Sequence, residues 1–151
     1  MLPKAHIAYG IVFSILLYAF IPEIGFVGML LILFGSIFID TDHYILTAIE
    51  NKTWNLRKSI NIFKKARKKR LELPPKERKK YYAAWCFFHG VETIIILFVL
   101  GKFVHRYFYF IAVGVAFHLV LDLVEQAQNK GRIDKISSVW DYFKFKKLKR
   151  I

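Results

Sequence analysis

Histidines and acids recur together in the most apolar stretches of this chain. His43 follows two acids in Asp40-Thr41-Asp42-His43, His89 lies three residues before Glu92, and His118 lies four before Asp122. His6 stands at the head of the first apolar run. An ionisable group inside an apolar membrane-length helix costs about 2.5–3.5 kcal/mol by insertion scales, so several together require a compensating partner. A divalent metal ion suits both imidazole and carboxylate, and metal-assisted chemistry is the first expectation. His105 has no carboxylate neighbour and sits beside Arg106, so it reads as a surface residue.

The elements that must position these groups follow from hydropathy. Apolar runs cover about 5–21, 24–40, 81–100 and 103–125, with breaks at Pro22-Glu23 and Gly101-Lys102. Each is near the length of a bilayer crossing. Between the second and third runs lies a basic segment, 44–80, in which Leu56, Ile60, Phe63 and Leu71 recur among lysines and arginines. That pattern predicts a basic amphipathic helix at a membrane surface, ended by Pro74-Pro75. The tail, 126–151, carries Trp140, Phe143, Phe145 and Leu148 among basic residues and predicts a second such helix. The expected fold is all-α: an integral-membrane four-helix bundle with interfacial helices in the central loop and the C-terminal tail.

Charge gives the orientation. The chain of 151 residues is 56% hydrophobic yet has a formal charge of +13. Of its 24 Lys and Arg, 13 lie between residues 51 and 80 and 8 lie after residue 126. Segregated charge beside apolar runs argues for basic cytoplasmic loops, with both termini on the cytoplasmic side. It argues against nucleic acid as a partner, since a nucleic-acid binder carries its basic face on a soluble core. Anionic lipid is a fitting partner for the same charges. No cleavage site of the small-residue type follows the first run, so it reads as a retained helix. The single Cys86 excludes an internal disulfide and reads as a small buried hydrophobe.

This topology tests the metal reading. His6 begins the first helix and the Asp40–His43 cluster ends the second, both at the cytoplasmic end. His89 and Glu92 fall in the first half of the third helix, and His118 and Asp122 in the last third of the fourth. All four clusters thus fall in one leaflet. Residues three or four apart share a helix face, so each pair can present two ligands inward. His6, Asp40, His43, His89, His118 and Asp122 are the expected metal ligands. Glu92 is expected as a ligand or general base, and Asp42 as a helix-end residue or a base behind the ligands. That is more than one tetrahedral zinc needs, so one or two ions are expected, zinc first, with manganese or iron as alternatives.

An early His, the segment Gly35-Ser36-Ile37-Phe38-Ile39-Asp40-Thr41-Asp42-His43, a later His and a closing His118-x-x-x-Asp122 resemble the small integral-membrane metal-dependent hydrolases. That bacterial and archaeal family was first noted through a LexA-regulated member. Its second segment usually reads Leu-Pro-Asp-x-Asp-His, and here Ile39 stands in place of the proline. Its third usually has a Thr-His-Ser character, where this chain has Phe88-His89-Gly90. The resemblance covers roughly residues 5–125 and implies a metal-dependent hydrolase. The mixed ligand set is more distantly similar to zinc-dependent phospholipase C.

Two classes of function compete at this point. One is a phosphoesterase acting on a lipid or lipid-like phosphate at the cytoplasmic leaflet, where a metal acidifies water and offsets phosphoryl charge. The other is a metal-ion or proton transporter, since intramembrane acids often mark ion paths. Against it, transporter sites favour the midplane between repeats, and no repeat is visible here. A haem-binding bundle with His89 and His118 as axial ligands is a third possibility, disfavoured by the neighbouring carboxylates.

Overall fold

The computed structural model describes residues 3–82, 85–129 and 133–150. Parts of the expected third run and of the basic tail therefore lie outside the described residues. The architecture is helical: α1 (Pro3–Phe20), α2 (Gly25–Phe38), α3 (Thr41–Glu50), α4 (Leu56–Glu72), α5 (Pro75–Arg78), α6 (Val91–Phe103), α7 (Tyr107–Gln128) and α8 (Ser138–Phe145). Two short strands, β1 (Tyr81–Tyr82) and β2 (Lys149–Arg150), pair in parallel and tie the tail to the segment before α6.

A proline-led turn, Pro22–Ile24, separates α1 from α2, and Gly25 leaves it at φ 68°, a backbone conformation that favours glycine. α2 then packs between α1 and α7. Inward positions recur every four residues: His6, Gly10 and Ser14 on α1, Gly28, Ile32 and Ser36 on α2, and Gly114, His118 and Asp122 on α7 are all buried. Rows at this spacing are the ridges along which helices interdigitate. The approach is close enough to require glycine. A Cβ at Gly114 would lie 2.0 Å from the Ile32 carbonyl oxygen, and one at Gly35 would lie 2.4 Å from that of Ile111.

The inward rows are polar and small, while the outward faces are apolar. Val12, Phe26, Ile96 and Val120 are each more than half exposed. Beneath the polar rows, Ile39, Val115 and Leu119 form a small buried apolar cluster that Phe88, Ile94, Leu97 and Ile111 flank. Two helical stretches, Pro22–Glu50 and Tyr107–Gln128, are long and apolar enough to cross a membrane, and Lys4–Phe20 is a shorter apolar helix.

The expected third span differs. Residues 81–100 are not one helix: α6 starts at Val91, and Trp85 to Gly90 follow an irregular path. At 13 residues α6 is about 20 Å long, short of the ~30 Å hydrocarbon thickness. The next turn also shifts. Gly101 lies inside α6, where a Cβ would meet the Tyr109 ring at 2.6 Å, and the chain turns at 104–106 instead. The amphipathic α4 forms over nearly the expected range, with Asn55 capping its N-terminus by accepting from the Lys58 amide at 2.9 Å.

Candidate metal centre

The four-residue rows carry His6, His118 and Asp122 to one end of the bundle. Ile39 and Asp40 form the short link between α2 and α3, and the irregular 85–90 segment brings His89 in from the side. The packing glycines set the register. Gly114 sits one turn before His118, so its close approach to α2 places the Ser36 carbonyl 2.7 Å from His118 Nδ1. A carbonyl only accepts, so Nδ1 carries the proton and the Nε2 lone pair faces inward. Asp42 does the same for His89. Its Oδ2 lies 2.9 Å from His89 Nδ1 and accepts from the Phe88 amide at 3.1 Å.

The consequence is two imidazole lone pairs aimed at each other, with Nε2 of His89 and His118 only 3.2 Å apart. Two acceptors at that distance repel unless a proton or a metal cation lies between them. Two carboxylate oxygens complete the arrangement. Asp40 Oδ1 is 3.6 Å from both nitrogens, and Asp122 Oδ2 is 3.6 Å from His89 Nε2 and 3.5 Å from His118 Nε2. Nitrogen and oxygen ligands bound tetrahedrally to zinc at 2.0–2.2 Å stand about 3.3–3.5 Å apart. The nitrogen–oxygen spacings here are close to these. Asp40, His89 and His118 form one group, and His6, His118 and Asp122 another, each with three ligand atoms within 4.8 Å of one another that could hold a divalent cation.

The other oxygens of the same carboxylates face His6. Asp40 Oδ2 is 3.5 Å from its Nδ1 and Asp122 Oδ1 is 3.4 Å from its Nε2. His6 Nε2 is buried and has no hydrogen-bond partner among the described residues. His43 stands on the outer side, with Nε2 3.7 Å from Asp40 Oδ1 and Nδ1 3.0 Å from Cys86 Sγ. The structure thus gathers His6, Asp40, His43, His89, His118 and Asp122. It defines a mostly helical protein with buried His, Asp and Cys groups that could hold a metal ion.

Comparison with known proteins returns no match: no family model, curated protein or solved structure aligns with this chain.

Of the two acids expected to act as bases, Asp42 stands behind a ligand and Glu92 lies apart. Asp42 is fully buried behind His89, and its bond to Nδ1 orients a ligand. Glu92 is outside the cluster. Because α6 starts only after Gly90, His89 and Glu92 do not share a helix face. Glu92 instead accepts from Ser137 Oγ and from the amides of Ser138 at 3.0 Å and Val139 at 3.4 Å, capping α8.

Sequence reading missed Lys135 and gave little weight to Cys86. Lys135 Nζ lies 2.5 Å from Asp122 Oδ2 and 3.3 Å from His43 Nε2. Its backbone adopts φ 68°, a strained conformation for a non-glycine residue. Its amide donates to Asp141 Oδ2 at 2.5 Å, which holds the loop in place. Burial works against its charge, but Asp122 and Asp40 outweigh this and raise its pKa above the usual lysine value. Burial also pushes the Cys86 thiol well up, and it joins Asp42, His43 and His89 in a group that could hold a metal ion. The only sequence signal for Lys135 was its place in a polar stretch among other lysines.

Proposed function

We propose that this chain is a membrane-embedded, metal-dependent hydrolase that cleaves a phosphoester of a lipid or lipid-like molecule at the cytoplasmic leaflet. The observation that carries the reading is the buried gathering of His89 and His118 Nε2 with carboxylate oxygens of Asp40 and Asp122 at 3.5–3.6 Å. Such a site neutralises groups that would otherwise be costly in an apolar bundle. The apolar outer faces of α1, α2, α6 and α7 favour a lipid surround, and the basic α4 and the lysines that follow α8 favour an interface rich in anionic headgroups. The likeness of the Asp40–His43 and His118–Asp122 segments to the membrane hydrolases points the same way. Zinc suits the donor set best.

Bound there, a divalent cation supplies an acidified water and offsets negative charge on a phosphoryl group. The chain's own residues do the rest. Asp42 and the Ser36 carbonyl hold His89 and His118 with Nε2 inward, as partners behind metal-ligating histidines do. Asp40 is the corner open to substrate: its side chain is 17% exposed, against 0–3% for the other three. Lys135, and beyond it Arg67 and Arg70, line a pocket of about 100 Å³ that also reaches Asp122 and His43. Arg67 and Arg70 are paired there with Glu125 and Asp134, and Lys135 offsets the charge of Asp122.

Elemental analysis of detergent-purified protein, paired with a phosphoester screen run with and without chelator, tests the reading. Near-stoichiometric zinc and chelator-sensitive cleavage are expected. Asp122→Ala should insert normally but lose both metal and activity. Full metal occupancy in that variant, or cleavage that a chelator leaves untouched, rejects the proposal.

A further inference from the structure

A second group of donors stands beside the centre already described. Asp42, His43, Cys86 and His89 each offer one ligand atom, and the four atoms lie within 4.8 Å of one another. His89 is already committed: Asp42 Oδ2 holds its Nδ1, and its Nε2 faces Asp40 and Asp122. That leaves a thiol, an imidazole and a carboxylate. Cys86 Sγ lies 3.0 Å from His43 Nδ1 and 3.7 Å from its Nε2. Asp42 is fully buried, and its Oδ1 has no hydrogen-bond partner among the described residues. A buried carboxylate oxygen without a donor is costly, and a cation nearby removes that cost. Cys86 is the only cysteine of the chain, so no disulfide within it can use the thiol.

We propose that Cys86, His43 and Asp42 hold a second metal ion, a thiolate-ligated zinc separate from the nitrogen–oxygen centre. Donor chemistry sets the class of ion: thiolate with imidazole selects zinc over magnesium, calcium or manganese. Binding sends the thiol proton to solvent, because a metal deprotonates a thiol that coordinates it. Lys135 Nζ lies 3.3 Å from His43 Nε2, so Nδ1 is the nitrogen left to face the sulfur and the ion. An ammonium only donates, so the ring proton starts on Nδ1. When the ion binds, that proton moves to Nε2, with Asp40 Oδ1 3.7 Å away as its acceptor, and Lys135 stays on Asp122. Zinc–sulfur and zinc–nitrogen bonds of about 2.3 and 2.0–2.1 Å put two such ligands about 3.5 Å apart, so ring and thiol must part by about half an ångström. His43 has room to do so. It borders both the pocket of about 100 Å³ that Cys86 also lines and a groove of about 210 Å³ between α3 and α4. The pocket is also the entry path, so this ion exchanges readily and fills from added metal. Asp42 then joins the two centres, since the carboxylate that orients His89 in the first is a ligand in the second.

The test uses the full chain in detergent, stripped with chelator and titrated with Co²⁺. Cobalt bound to a thiolate shows an intense near-ultraviolet charge-transfer band, and Cys86 is the one possible source of it in this chain. The unaltered protein should take up an equivalent of cobalt beyond that of the first centre and show the band. Cys86→Ser should lose the band and keep the first equivalent. Removing a mere orienting partner weakens metal affinity about 10–100-fold, so His43→Ala, which removes a ligand, should weaken cobalt binding read at the band by at least as much. Asp122→Ala, which empties the first centre, should keep the band. No band in the unaltered protein overturns the site. A band that His43→Ala leaves unchanged reports cobalt on a bare thiol and overturns it as well. Loss of the band in Asp122→Ala would put the thiolate in the first centre and overturn a separate second ion. The band reports coordination alone, so the proposal stands or falls independently of phosphoester cleavage.

Discussion

The bundle of α1, α2 and α7 and the polar cap of α4, α8 and the 133–137 loop hold the same cluster by opposite means. In the bundle, helices meet backbone to backbone at glycines, and donors are fixed by one buried carbonyl or carboxylate each. In the cap, contacts are ion pairs: Arg67 with Glu125, Arg70 with Asp134 at 3.6 Å, and Lys144 with Asp134 at 2.6 Å. Close packing has no slack, so the bundle can hold atoms at coordination distances. Partly exposed ion pairs are worth little each and rearrange at small cost, so the cap is the more adaptable of the two regions. His6, His118 and Asp122 of the candidate metal centre come from the closely packed region, and Arg67, Arg70 and Lys135 from the ion-paired one.

That contrast orders the expected effects of mutation. The largest belongs to the bundle. Gly114→Ala puts a carbon into the Ile32 carbonyl and should cost about 3 kcal/mol or more, the upper range of overpacking. The protein should melt much earlier in detergent and purify with substoichiometric metal. A variant that binds metal normally would mean α2 and α7 are not so closely apposed.

Next comes the partner behind a ligand. Asp42→Ala frees His89 to turn and should weaken metal affinity about 10–100-fold, measured by competition with a chromogenic chelator. Asp42→Asn, which can still accept from Nδ1, should retain more affinity than the alanine variant. Equal loss in the two would show that charge outweighs orientation.

The cap should respond differently. Lys135→Met removes the ammonium that sits on Asp122. Metal should bind at least as tightly, because the cation no longer competes for that oxygen, while KM for an anionic substrate should rise several-fold. Loss of metal in this variant would erase the division between the two regions. Glu92→Gln weakens the cap of α8 and should cost about 1 kcal/mol of thermal stability, with metal content unchanged. The smallest effect is expected for Arg67→Ala, an ion pair at the cap edge, at about 1 kcal/mol or less.

Part of this organisation was legible in the residues alone. The helices α1, α2, α4 and α7 follow hydrophobic runs and their breaks. Gathering of His6, Asp40, His43, His89, His118 and Asp122 at one end followed from placing each on its run. The stretch 81–100 misled because an apolar composition fits a buried irregular segment as well as a helix, and hydropathy does not separate the two. Once α6 begins at Val91, the His89–Glu92 pair dissolves and Glu92 caps a helix more than forty residues away. Lys135 was hidden for a related reason: a lysine in a polar tail reads as solvated until its loop folds back.

Residue order by itself determined the helical class and which ionisable side chains fall in apolar stretches, because these are local properties of periodicity and charge. Only tertiary structure decided which nitrogen of each histidine faces inward, which acids are donors and which merely orient or cap, and that a tail lysine joins the cluster. Those depend on partners tens of residues away, brought within 3 to 4 Å by helix packing that no local pattern specifies.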